Sequence, residues 1–200
     1  MFASKRLSKE LLKMQSSLPP GISLVKAEDL EEWQMDICVL DKSNPLYLNE
    51  TYRLKFTFSK NYPIANHTLQ SPPLPTTEAP EVQFISIRPT PTPTPAAAAA
   101  TATTTTTTTT TTPSTTPSTT PSIVRPIPIH PHIYSNGIIC LDLLGTAWSP
   151  VQTVESVCMS IQSMLAGNRK NERPPGDEDF VAHNRQRPRD IQFYYDDSTV

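Results

Sequence analysis

Cys140 stands inside HPHIYSNGIICLDLLGTAWSP, residues 130–150, ten residues after His130, eight after His132 and eight before Trp148-Ser149-Pro150. A thiolate is the most nucleophilic group a protein carries at neutral pH, and an imidazole nearby can serve as base or hydrogen-bond donor. Ser135-Asn136-Gly137 are turn formers, so the chain can reverse there and return the histidines to the thiol. The default for a cysteine is a small core hydrophobe. Three chemistries compete with that default. A metal centre needs more ligands than HPH and one cysteine supply, so none is expected. A cysteine hydrolase needs a histidine base with an orienting Asn or Asp, and no local signature for one is present. The third is acyl transfer, in which the thiol is loaded as a thioester and an amine then attacks it.

The elements that must hold this stretch can be traced by periodicity. Leu7, Leu11, Met14 and Leu18 recur at helical spacing within residues 4–18, with Lys5, Arg6 and Lys9 on a basic outer face, until Pro19-Pro20-Gly21 stop the pattern. WQMDICV at 33–39 and YRLKFTF at 52–58 alternate as half-buried strands, and EVQFISI at 81–87 makes a third. Val154, Val157, Cys158, Ile161 and Leu165 form the strongest helical stripe, closed by Gly167. Cys158 on that stripe and Cys38 within a strand read as core residues.

Hydrophobic residues make up 36% of the 200-residue chain, but 22 prolines and ten consecutive threonines, Thr103–Thr112, concentrate in its middle. The expected organisation is one domain over 1–200, interrupted by disordered loops at 66–80 and 89–122 and ending in a flexible tail from 183 to 200. A glycosylated mucin-like stalk would need a secretory route, and the charged N-terminus MFASKRLSKELLKMQ offers no apolar signal core. Nor does any window reach the apolar length of a membrane span. A formal charge of -2 gives no reason to expect nucleic acid or an anionic membrane as partner. Three cysteines without a CxxC pair suit a reducing compartment, so the protein is expected inside the cell, in cytoplasm or nucleus.

The 130–150 stretch resembles the active-site signature of ubiquitin-conjugating enzymes: His-Pro-Asn, a seven-residue gap, Cys-Leu-Asp, and Trp-Ser-Pro eight residues after the cysteine. KRLSKELLKMQSSLPPG, YRLKFTFSKNYP, APEVQFIS and SVCMSIQSMLAG extend the resemblance in order along nearly the whole chain outside the inserts. It implies an α+β fold with an N-terminal helix, a four-stranded antiparallel meander, the active-site segment and a central helix, followed by a shortened, divergent C-terminus. It also implies that Cys140 takes ubiquitin as a thioester from an ATP-using activating enzyme and passes it to a substrate amine, with no cofactor bound. By the same resemblance, His130 and Pro131 are structural and His132, in the usual Asn position, supports the oxyanion. Glu172 takes the place of an acidic loop residue. Lys5, Arg6 and Lys9, with Ser149 and Pro150, meet the activating enzyme and RING or U-box ligases.

The departures at His132, at RPPGDEDFV and at the short C-terminus resemble the W-type branch, whose members modify protein N-terminal α-amino groups. In that branch an aromatic tail, here Phe193, Tyr194 and Tyr195, captures substrates with flexible N-termini. An ordinary lysine-directed enzyme and a catalytically silent ubiquitin-binding variant remain the alternatives.

Overall fold

The computed structural model describes residues 2–65, 76–88, 124–191 and 193 of the chain. The Thr/Pro segment expected at 89–122, along with Tyr194 and Tyr195, lies outside the described residues.

Helix α1, Phe2–Ser16, buries Ala3, Leu7, Glu10 and Met14, one stripe three to four residues apart. Four strands follow: β1 (Ile22–Lys26), β2 (Glu32–Cys38), β3 (Thr51–Thr57) and, after a short two-residue pair, β6 (Glu81–Ile85). They form one sheet in the order β1-β2-β3-β6, each neighbour antiparallel. That is the four-stranded meander expected. In β3 Tyr52, Leu54 and Phe56 are buried while Thr51, Arg53, Lys55 and Thr57 are not, the period-two signature of a sheet with one packed face. Trp33, Met35 and Ile37 of β2 and Val82 and Phe84 of β6 fill the same face. Helix α2, Val154–Gly167, contributes Val157, Cys158, Ile161 and Leu165 to the same core. Cys158 is a core residue as expected, and burial pushes its thiol well above the usual range. Cys38 is half-buried at the end of β2.

Within the expected insert at 66–80, β5 (Thr76–Thr77) pairs with β4 (Ile64–Ala65), and Ala79 is buried. The first part of the expected tail lies against the sheet. Helix α3, Asp177–His183, starts from Gly176 in the left-handed region, and a 3-10 turn at Pro188–Asp190 follows. Arg189 pairs with Glu78 and, at 3.0 Å, with Glu81, so ion pairs hold this segment to the start of β6.

Candidate active site

The Cys140 segment is a hairpin laid against the edge of β6. The carbonyl of Tyr134 accepts from the Gly137 N–H at 2.8 Å, closing the turn that the Ser-Asn-Gly run calls for. Gly137 has φ +89°, and a Cβ there would stand 2.0 Å from the Phe84 carbonyl oxygen. No side chain fits, because the Phe84 N–H donates to the Gly137 carbonyl at 2.9 Å. Gln83 pairs with Ile138, and its Nε2 donates to the Asn136 carbonyl at 3.0 Å.

The register of the hairpin decides what faces the thiol. The Cys140 N–H donates to the His132 carbonyl at 2.8 Å, Ile133 pairs with Ile139, and the Tyr134 N–H donates to the Ile138 carbonyl at 2.9 Å. Side chains alternate across the Ile133–Ile139 pair, so Tyr134 and Cys140 share one face, while His132 ends the turn before it with its ring 5.4 Å from that of His130. Ile133 and Ile139 take the other and are buried in the core. His132 lies across from Cys140 through that backbone bond, exposed to solvent, as the sequence placed it in the pattern. Cys140 itself is half-buried.

His130 is inside, 4% exposed. Its Nδ1 accepts from the His132 N–H at 2.9 Å, which leaves the ring proton on Nε2. Burial first, then the neighbouring His132, bring its pKa down to about 4, against a hydrogen bond with the Met164 backbone that favours the charged form. A neutral imidazole hydrogen-bonded on both sides of its ring can brace the turn it sits in.

The C-terminal segment clamps the same hairpin, and of the residues that touch it sequence reasoning named only Phe193. The Arg173 guanidinium donates to the carbonyls of Pro128 (2.6 Å), Ile133 (3.0 Å) and Ile127 (3.2 Å). Asp177 accepts from the Ser135 N–H at 2.7 Å. Phe180 stacks on Tyr134 at 3.9 Å between centroids and 27°, with Phe193 stacked at 6.0 Å and 19°. No periodicity announces these contacts, which span about 40 residues of sequence or more. Glu172 stands in an exposed loop with its carboxylate 3.7 Å from Lys170 Nζ.

Beyond Cys140 a 3-10 turn, Asp142–Leu144, leads to Trp148, whose Nε1 donates to the Pro63 carbonyl at 3.4 Å. Trp148 is buried packing, while Ser149 and Pro150 are half-buried and Val151 is 78% exposed. This loop adjoins α1: Arg6 Nη2 donates to the Gln152 carbonyl at 2.7 Å and Nε to Glu10 at 2.5 Å. Lys5 and Lys9 are exposed as expected, but Arg6 departs from the basic outer face, being spent on these internal bonds. A cleft of about 530 Å³ opens beside the Cys140 strand, lined among others by Ile139, Leu141, Leu144, Arg189, Ile191 and Phe193. Among the described residues no cluster of metal-ligating side chains occurs, and no helix is long and apolar enough to cross a membrane.

The sequence profile described as "Ubiquitin-conjugating enzyme" matches residues 106–195. The chain is 33% identical over 198 residues to "Probable ubiquitin-conjugating enzyme E2 W" of Dictyostelium discoideum, covering 98% of this chain and 97% of that protein. It is 30% identical over 198 residues to "Probable ubiquitin-conjugating enzyme E2 W-A" of Danio rerio, with 98% and 96% covered. The crystal structure of the ubiquitin-conjugating enzyme E2 UbcA1 from Agrocybe aegerita superposes with a TM-score of 0.65 at 32% identity, covering 94% of this chain and 98% of that one. Fold, hairpin and relatives therefore agree that this chain belongs to the ubiquitin-conjugating enzyme family, an acyltransferase of its W-type branch.

Proposed function

We propose that the protein accepts ubiquitin as a thioester on Cys140 from an ATP-using activating enzyme and transfers it to protein N-terminal α-amino groups. The observation that carries this reading is the hairpin in which a half-buried Cys140 is bonded across to the backbone of His132. A cysteine there can exchange acyl groups, and an imidazole opposite can donate to the oxyanion formed on attack. The α-amine preference is supported by the acidity of the two kinds of amine. Lysine, with a pKa near 10.4, is only about one part in a thousand neutral at pH 7.4, whereas an α-amine at about 7.7 to 8.0 is about a quarter neutral. Glu172, the acidic candidate for assisting lysine, is 58% exposed and beside Lys170. The cleft lined by Phe193 gives a flexible substrate N-terminus a place to lie next to the thioester.

The exposed Lys5 and Lys9 and the adjoining loop of Ser149, Pro150 and Val151 suit the activating enzyme and a RING or U-box ligase, in cytoplasm or nucleus. The test is incubation with activating enzyme, ATP and ubiquitin. A thiol-sensitive adduct is expected on the native chain and absent in Cys140→Ala. Mass spectrometry of a modified substrate should then find ubiquitin on its first residue, and modification confined to lysines would refute the α-amine preference.

A further inference from the structure

Tyr134 shares the thiol's face of the hairpin, and the carrier reading gives it no task. Its cross-strand partner is Ile138, two pairs along from the His132–Cys140 pair, so it is the diagonal neighbour of the thiol. Diagonal Cβ atoms stand about 7 to 8 Å apart or less, within reach of a long aromatic side chain. Burial chiefly, then the Cys140 thiolate and Asp177, raise the phenol's pKa, so the hydroxyl keeps its proton and remains a donor. The ring cannot swing freely. Phe180 covers one part of it at 3.9 Å, Phe193 stacks at 6.0 Å, and Asp177 pins the next residue's N–H at 2.7 Å. Three contacts from a segment about 40 residues or more away converge on one tyrosine next to the nucleophile.

We propose that Tyr134 is a further catalytic residue, whose hydroxyl donates a hydrogen bond to the oxyanion formed when an amine attacks the thioester on Cys140, and that Phe180 and Phe193 are its positioning residues. This rests on the carrier reading of Cys140. In the step, the amine lone pair forms the C–N bond and the carbonyl π pair moves to oxygen. That pair then returns, the C–S bond breaks with its electrons leaving on Cys140 as thiolate, and the amine's proton passes to water. The phenol keeps its own proton throughout. The carbonyl carbon is bonded to Sγ, so the oxygen that receives the pair lies one bond beyond the sulfur, near the face that Tyr134 shares.

The experiment is single-turnover discharge. The full chain is charged with ubiquitin, the activating enzyme is stopped by chelating Mg²⁺, and a short peptide with a free α-amine is added. Tyr134→Phe keeps the ring and its stacking, and it should charge to completion yet discharge about 10- to 100-fold more slowly, the range for one lost hydrogen bond to a charged group. Ring-fluorinated tyrosines at position 134, which are stronger donors, should raise the discharge rate as long as the phenol stays protonated; a packing role would not respond to donor acidity. Phe180→Leu should slow discharge several-fold in the native background and have no further effect in Tyr134→Phe. Discharge of Tyr134→Phe at the native rate overturns the proposal, as does a fluorinated series that leaves the rate flat. Failure of the native chain to charge overturns the carrier reading with it, and that outcome alone distinguishes the two failures.

Discussion

His130 responds to acid through its burial. An unfolded histidine titrates near 6.5, but the buried His130 stays neutral down to about 4. As pH falls below 6.5 the unfolded chain binds a proton that the native chain refuses, so stability is fully present above 6.5 and drains away toward 4. The slope is about 1.4 kcal/mol per pH unit for one group, or about 2 kcal/mol between pH 6.5 and 5. Urea unfolding at pH 7 and pH 5 should show a loss of at least that order. Nitrogen NMR should find His130 still as the Nε2–H tautomer at pH 5, because its Nδ1 is occupied by the His132 N–H. A His130 ring titrating near 6.5 would contradict the brace. Such assignments were legible in the sequence only in part. Local spacing placed His130, His132 and Cys140 together because a seven-residue gap with Asn-Gly at its middle is a hairpin. Arg173, Asp177 and Phe180 act on that hairpin through tertiary contacts, and their own neighbourhood, RPPGDEDFV, looks like a solvated loop.

Among the elements, α1 and α2 are locked by one buried carboxylate. Glu10, 7% exposed, accepts from Arg6, from the Tyr62 hydroxyl at 3.0 Å and from the Val154 N–H at 2.8 Å. Val154 is the first residue of α2, so Glu10 satisfies an N–H that the helix cannot and places negative charge at its positive end. Thr153 and Ser156 complete the cap reciprocally. Glu10→Ala leaves the buried Tyr62 hydroxyl and Val154 N–H without their acceptor and should cost about 2 to 6 kcal/mol by urea unfolding, two unmet buried donors at about 1 to 3 kcal/mol each. A loss under about 1 kcal/mol would mean that water replaces the carboxylate. The helices were legible because their stripes are long, and β2 and β3 because their alternation is clean. β1 was not located: its five residues, ISLVK, bury only Ile22 fully, too little to stand out from a turn. α3 has seven residues and buries none, so no stripe marks it.

At the scale of the molecule, the question is how a 200-residue chain carries so much proline and threonine between two strands of one site. The base of the insert is stapled. Ile87 and Arg125 exchange both backbone bonds, at 2.9 and 3.0 Å, and Arg125 also reaches Asp36 Oδ2 at 3.3 Å beside Arg53. The sheet therefore holds the two ends of the segment together whatever lies between them, and the carriers of the site begin only at Ile127 and Pro128, under Arg173. Read from its sequence as a passive insert, the segment contributes one term to stability, the entropy of closing a long loop. That entropy grows by about 0.6 kcal/mol per doubling of length. Deleting 90–121 leaves a connection of a few residues between Ile87 and Arg125, about three doublings shorter, and Arg88-Pro89 joined to Ser122-Ile123-Val124 is long enough to turn between paired strands. The deleted chain should gain about 2 kcal/mol in urea unfolding and charge with ubiquitin at the native rate. A chain that gains stability but charges slowly would make the insert part of the reaction, acting on the hairpin it precedes, whereas a chain that loses stability would show that residues 90–121 pack on the sheet.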